Sequence, residues 1–121
     1  MNWIAVFIGG GLGSILRFGL SRVSANWTKN FPMGTLVSNV LATLILALVI
    51  YGFARNIKTD SNLYLFLAVG LCGGFSTFST FSLETFRLFD QGLPVLAFLN
   101  IVLNVVICIG LVWVLRLSSA P

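Results

Sequence analysis

The chain has 121 residues, of which 58% are hydrophobic and only 8% are charged. A soluble domain of this size carries about a quarter charged residues, so the composition excludes a protein whose main solvent is water. The net charge of +4 comes from seven cations and three acids, and no basic run suggests a nucleic-acid partner. The sequence therefore predicts an all-α protein embedded in membrane lipid.

Four apolar runs follow one another along the chain, and each is long enough to cross a hydrocarbon core of about 30 Å at about 1.5 Å per residue. Short connections that are rich in turn-forming residues separate them. We predict membrane helices over about residues 3–23, 33–54, 63–89 and 93–117, with nothing left over for a soluble domain. The prediction is a single integral membrane domain over residues 1–121.

The first run is rich in glycine. It contains Gly9-Gly10-Gly11-Leu12-Gly13 ahead of Arg17. Small residues permit close approach between membrane helices, and the Arg17 guanidinium is expected to reach either an interface or a polar interior. A dinucleotide-binding fingerprint is excluded, because the final glycine is missing and no βαβ unit can form here. Whether Arg17 serves a pore or only packing is left open.

The second and fourth runs carry amide side chains at helical spacing. Asn39 lies one turn beyond Thr35, and Asn100, Asn104 and Cys108 form an i, i+4, i+8 stripe. Such a stripe is expected to face protein rather than lipid. It fits two interpretations, namely hydrogen bonds that hold the helices together and donors that replace the water around an ion.

The third run is unusual because paired glycines and several hydroxyls lie at mid-membrane depth. Gly73-Gly74 followed by Ser76 and Thr77 predicts a break near the middle of this helix, since glycine weakens a helix and hydroxyls bond released backbone groups. Released carbonyl oxygens are ligands for a hard cation such as Na⁺, and two per chain would become four on a dimer axis. The alternative is a Gly70-x-x-x-Gly74 packing contact between intact helices.

Aromatic and hydroxyl residues alternate after this break. Phe75, Phe78 and Phe81 recur every three residues, with Ser79 and Thr80 on neighbouring faces of the same helix. Ring edges carry partial positive charge, so inward-facing rings and hydroxyls together can coordinate a small anion. The alternative is an aromatic stripe that only packs against the core or lipid.

Positive charge is balanced between the two ends of the predicted bundle. Each end receives three cations, which are Arg55, Lys58 and Arg116 beside the termini and Arg22, Lys29 and Arg87 at the opposite end. Because positive charge in short loops orients membrane helices, this balance gives no preferred direction of insertion. Opposite insertions permit an antiparallel homodimer with its twofold axis in the membrane plane. Glu84 and Arg87, three residues apart on one helix, are expected to pair near an interface.

Three stretches of the sequence together resemble one family. They are Gly9-Gly10-Gly11-Leu12-Gly13 with Arg17-Phe18, Gly34-Thr35-Leu36 with Asn39, and the run from Gly73 to Phe81. The chain is similar over nearly its whole length to the CrcB or Fluc fluoride channels of microbial membranes. The resemblance implies a dual-topology antiparallel homodimer with two pores in a bacterial cytoplasmic (inner) membrane. Such a dimer lets fluoride leave the cytoplasm passively and so lowers fluoride toxicity.

The same resemblance implies residue roles. The implied fluoride pathway has two amide donors, two inward-facing rings and a hydroxyl track, which are Asn39, Asn104, Phe78, Phe81, Ser79 and Thr80. A structural Na⁺ would be held at the dimer axis by the backbone carbonyls of Gly73 and Ser76. The fourth run departs from the family pattern, which has an aromatic hydroxyl and serines where this chain has Asn100, Asn104 and Cys108.

Two other classes of membrane protein share parts of this pattern. Small proton-coupled multidrug exporters are also four-helix antiparallel dimers, but they need a carboxylate at membrane depth, and Glu84 is expected near an interface. A structural membrane protein would use the polar stripes for packing alone. An enzyme is the least expected class, because the chain has no histidine and shows no catalytic constellation. The sequence leaves open whether Glu84, Asn100 and Cys108 serve a pore or only packing.

Overall fold

A computed structural model describes residues 1–53 and 56–119 of the chain. Within these residues, four helical segments are long and apolar enough to cross a membrane, and they span Asn2–Ser24, Met33–Gly52, Asn62–Asp90 and Pro94–Ser118. The prediction of an all-helical protein with four membrane-spanning segments is confirmed. Ala54, where the second predicted helix ends, and Arg55, which entered the charge balance, lie outside the described residues.

The first, second and fourth segments are the simpler ones. Helix α1 spans Asn2–Ser24, and α2 spans Met33–Ala47 before it widens into a π-helix over Leu48–Phe53. The third segment consists of α3 (Asn62–Tyr64), a π-helix (Leu65–Leu71), α4 (Cys72–Phe75) and α5 (Phe78–Asp90). Helix α6 spans Pro94–Ser118 and begins with proline, whose missing N–H costs nothing at the first helical position.

The glycines of α1 allow its backbone to touch the backbone of the third segment. A Cβ atom added at Gly9 would lie 2.9 Å from the backbone nitrogen of Leu71, and one at Gly70 would lie 2.8 Å from the carbonyl oxygen of Val6. A Cβ at Gly74 would collide with the backbone of Gly10. The close contact that the spacing Gly70-x-x-x-Gly74 predicts is therefore present, and α1 holds α4 by direct backbone packing.

Two glycines of α1 provide a matched test of this contact. A methyl group at Gly13 would collide with the carbonyl oxygen of Leu71 and lie 2.7 Å from the amide nitrogen of Phe75, whereas nothing lies within 4 Å of a Cβ at Gly11. We expect Gly13→Ala to lower the free energy of unfolding in micelles by about 1–3 kcal/mol, as overpacking does. Gly11→Ala should be neutral or slightly stabilising, since alanine favours a helix. Equal stability of the two variants would contradict the contact.

The buried interior lies where α2, α4, α5 and α6 meet, and it is unusually polar. Ser38 and Asn100 are fully buried and Asn104 is 6% exposed, while large apolar side chains of α1, such as Trp3 and Phe7, are more than 80% exposed. Lipid is the natural solvent for such an outer surface. This arrangement places polar groups together in the middle of the bundle, where the amides of Asn100 and Asn104 form hydrogen bonds with other helices or with each other.

Candidate functional site

The third segment leaves the helical conformation for two residues. Helix α4 ends at Phe75 and α5 begins at Phe78, and between them Ser76 and Thr77 have extended backbones, with ψ of 159° and 126°. The Thr77 hydroxyl caps α5 by accepting the backbone N–H of Thr80 at 3.2 Å. Backbone groups that an uninterrupted helix would use internally are thereby released for contacts with other helices.

Two of the released groups bind side chains from α1 and α2. The Nε of Arg17 donates to the carbonyl oxygen of Gly74 at 3.1 Å, so Arg17 reaches into the protein rather than to an interface. The backbone N–H of Thr77 donates to Oδ1 of Asn39 at 2.8 Å. These contacts satisfy one backbone group near each end of the interruption.

Two other carbonyl oxygens at the interruption accept no hydrogen bond within the described residues, and they belong to Gly73 and Ser76. A Cβ at Gly73 would meet nothing within 4 Å, so this side of the chain is open. Unpaired carbonyl oxygens are suitable ligands for a hard cation. No group of three or more His, Cys, Asp or Glu residues that could hold a metal ion forms in residues 1–53 and 56–119.

Asn39 is the centre of the polar interior. Its Nδ2 donates to Oδ1 of Asn104 at 2.9 Å and to the carbonyl oxygen of Thr77 at 3.4 Å, while its Oδ1 accepts the Thr77 N–H. One side chain thus links α2 to α6 and to the interruption of the third segment. The structure brings together Asn39 and Asn104, which the sequence places on different helices.

The chain of hydrogen bonds continues along α6 and returns to α5. Nδ2 of Asn104 donates to the backbone oxygen of Asn100 at 2.9 Å and to its Oδ1 at 3.0 Å. Nδ2 of Asn100 then donates to the Thr85 hydroxyl at 2.9 Å, and this hydroxyl donates to the Phe81 carbonyl oxygen at 2.8 Å. The prediction that the asparagine stripe faces protein is confirmed, and interhelical hydrogen bonding is part of its role.

A cavity of about 250 Å³ opens beside this network. Four of the six predicted pathway side chains line it, together with residues that the sequence did not single out; the lining residues are Asn39, Thr43, Ser76, Thr77, Phe78, Phe81, Asn104, Val105 and Cys108. The hydroxyls of Ser79 and Thr80 do not line the cavity but each lie 3.2 Å from the Thr77 hydroxyl. The hydroxyl track is therefore connected to the cavity through Thr77.

The two phenylalanine rings differ in their surroundings. Their centroids are 5.6 Å apart with the planes tilted by 43°. Phe81 is only 9% exposed, whereas Phe78 is 79% exposed. Phe81 is thus part of the wall of its own chain's cavity, while most of Phe78 projects away from the chain.

Helical spacing could have indicated the residues that sequence reasoning missed. Thr43 lies one turn beyond Asn39 on α2, and Thr85 lies one turn beyond Phe81 on α5. Both side chains share a helix face with a residue that was predicted to line the pathway. Their hydroxyls therefore belong to the same polar region.

Glu84 does not behave as predicted. Its Oε2 is buried and accepts no hydrogen bond, and within the part of the chain that the structure describes no ion pair joins it to Arg87. Both residues instead line a second cavity of about 230 Å³, beneath the loop that contains Lys29. The predicted ion pair is therefore absent from the described residues, although the two side chains line one cavity.

Comparison with known proteins gives a consistent result. Residues 4–115 match the family described as CrcB-like protein, Camphor Resistance (CrcB). A protein named fluoride-specific ion channel FluC from Pyrococcus abyssi is 44% identical over 114 residues, which cover 91% of this chain and 89% of the relative. Proteins of the same name are 43% identical in Serratia proteamaculans, over 84% of this chain and 80% of the relative, and 35% identical in Coxiella burnetii, over 93% of each.

These relatives are named as ion channels, in agreement with the expectation that the protein is not an enzyme. The four helical segments and the relatives together make it a multi-pass membrane protein. With a family match over residues 4–115, the chain belongs to the CrcB family.

Proposed function

We propose that this chain forms a fluoride-selective channel that passively releases fluoride from the cytoplasm. The observation that carries the proposal is the meeting of Asn39 and Phe81 at one cavity of a lipid-exposed helical bundle. The names of the relatives support fluoride as the ion. Amide N–H groups, hydroxyls and ring edges are the groups that can replace the water around a small anion.

The same cavity suits conduction rather than tight binding. Its lining contains no Lys or Arg, so an anion there meets dipoles instead of a fixed opposite charge. Both amide hydrogens of Asn39 and both of Asn104 already donate to oxygen atoms within the protein. An arriving fluoride would compete for these donors and would release them again as it leaves, which is the balance that conduction requires.

The working unit is proposed to be an antiparallel, dual-topology homodimer with two pores. Phe78 is 79% exposed although it lines the candidate cavity, and such a ring can be covered by a second copy of the chain. Balanced loop charge supports insertion in both directions. In this arrangement the interruption of the third segment would be the break that the sequence predicts near the middle of the third membrane helix.

Na⁺ at the dimer axis fits the residues present. The carbonyl oxygens of Gly73 and Ser76 would hold it, because neither accepts a hydrogen bond within the described residues and the side at Gly73 is open. Two such oxygens from each copy make four ligands. When bound, the cation would have a structural role between the two copies, where its charge would offset the partial negative charges of the four carbonyl oxygens.

Passive release is sufficient for protection in a bacterial inner membrane. Hydrofluoric acid crosses lipid as a neutral molecule and dissociates in the cytoplasm, where the anion is trapped. A channel drains the trapped anion down its electrochemical gradient without an energy source. The protein would export fluoride only in this sense.

The direct test is fluoride efflux from liposomes that contain the purified protein, with no proton gradient imposed. We expect rapid fluoride loss with chloride retained in paired liposomes, because amide and hydroxyl donors bind the smaller fluoride more strongly than the larger chloride. A fluoride electrode and a chloride electrode in the external medium measure both. No fluoride loss from well-folded dimers would contradict the proposal, and efflux that requires an imposed proton gradient would instead support a proton-coupled exporter.

A further inference from the structure

A groove, distinct from the two cavities described above, runs between α2 and α6 toward the end of the bundle that holds the termini. It has a volume of about 480 Å³ and is lined by Thr43, Leu46, Tyr51, Cys108, Ile109, Val112, Trp113 and Arg116. Thr43 and Cys108 also line the cavity beside Asn39. The groove therefore begins where the candidate fluoride pathway passes and ends at Arg116.

The lining of this groove matches a lipid better than a small ion. Its middle is formed by aliphatic side chains, including Leu46, Ile109 and Val112. Such a wall offers no donor that could replace the hydration shell of an anion. An acyl chain, by contrast, needs only apolar contact.

The length of the groove also fits one acyl chain. Cys108 and Arg116 are eight residues apart on a continuous helix, which corresponds to about 12 Å along its axis. Half of a hydrocarbon core of about 30 Å is close to this distance. A lipid whose headgroup lies at Arg116 would therefore place the ends of its chains near Cys108 and Thr43.

The outer end of the groove carries the groups that recognise an anionic headgroup. Arg116 is exposed, and it forms no ion pair among the residues that the structure describes. Tyr51 and Trp113 flank it, and these amphipathic aromatic side chains favour the level of the headgroups. Trp113 is 64% exposed, so a lipid can reach it without rearrangement of the bundle.

We infer that the groove between α2 and α6 binds one anionic phospholipid, with its phosphate at Arg116 and an acyl chain along Val112 and Ile109. The bound chain would form the outer wall of the groove up to Thr43 and Cys108. This site does not depend on the proposed transport of fluoride. One cationic side chain near anionic headgroups favours their binding about fivefold.

Trp113 provides a direct probe of occupancy. The chain has three tryptophans, and the other two, Trp3 and Trp27, are 88% and 52% exposed. The variant Trp3→Phe/Trp27→Phe therefore leaves one fluorophore, in the groove. The assembled protein is reconstituted in phosphatidylcholine, and phosphatidylglycerol or phosphatidylcholine with brominated acyl chains is added in increasing mole fraction, without fluoride.

We expect brominated phosphatidylglycerol to quench Trp113 with half-saturation at a mole fraction about fivefold lower than brominated phosphatidylcholine. Arg116→Gln should remove this difference. Arg22→Gln, which removes an equal charge at the opposite end of the bundle, should leave it intact. Equal half-saturation for the two lipids, or a difference that survives Arg116→Gln, would overturn the inference. Absence of quenching by either lipid in an intact dimer would also overturn the inference, because it would show that the groove is closed to lipid.

Discussion

Replacement of Phe81 by isoleucine is expected to lower fluoride efflux from liposomes about a hundredfold, because a loss of about 2.7 kcal/mol of stabilisation at one point of the path slows passage by that factor. Isoleucine keeps an apolar side chain in the cavity wall but has no ring edge to face an anion. Phe81 is 9% exposed and lies beside the cavity that Asn39 lines. The initial rate of efflux, measured with a fluoride electrode, gives the effect.

A second phenylalanine of the same helix provides the control. Phe86 is 65% exposed and does not line the cavity, so Phe86→Ile should retain the flux of the parent protein. Size-exclusion chromatography before reconstitution confirms that both variants assemble equally. If Phe81→Ile conducted fluoride at the parental rate, the ring would serve packing alone and the pathway would have to lie elsewhere.

Replacement of Asn39 by leucine is expected to reduce both stability and flux. Leucine fills a similar volume but leaves the Thr77 N–H and Oδ1 of Asn104 without the partners that they have at 2.8 and 2.9 Å. Two buried polar groups without partners should lower the free energy of unfolding in micelles by about 2–4 kcal/mol. Fluoride efflux should fall toward the level of protein-free liposomes, because an amide donor of the cavity is lost.

Ser38, which precedes Asn39 in the chain, gives a matched control for the loss of a buried polar group. Ser38 is fully buried like much of the network, but its hydroxyl has no hydrogen-bond partner in residues 1–53 and 56–119. Ser38→Ala removes a buried polar group without leaving another one unpaired, so its effect on stability should be close to neutral. Unfolding measured by circular dichroism compares the two variants. Similar losses for both would show that the bonds of Asn39 contribute little.

Composition and periodicity were sufficient to predict the class of fold. The four apolar runs are four helical segments in the structure, because the length needed to cross a bilayer and the lack of charge are properties of sequence alone. The protein-facing asparagine stripe was also predictable, since i and i+4 residues share one helix face. The paired glycines and hydroxyls of the third segment predicted a break close to Ser76 and Thr77, the two residues whose backbones are extended.

Contacts between helices were not predictable from one sequence. Helical spacing assigns Asn39 and Asn104 to faces of two helices, but only the packing of those helices joins their amides. The same limit applies at Glu84, where i and i+3 spacing permits an ion pair with Arg87 that the described residues do not form, while Oε2 of Glu84 is buried. The sequence placed Arg17 at either an interface or a polar interior. Its hydrogen bond to the carbonyl oxygen of Gly74 shows that it reaches into the interior.

The interruption after Phe75 also sets an electric polarity within the membrane. The first half of the third segment ends at Phe75 and α5 begins at Phe78, so the negative end of one helix dipole lies close to the positive end of another. The Arg17 guanidinium faces the negative end, and the positive end follows Thr77, whose N–H donates to Oδ1 of Asn39. In the proposed channel, an anion in the cavity would lie beside the positive end of α5, and the cavity lining contains no Lys or Arg that would hold it there.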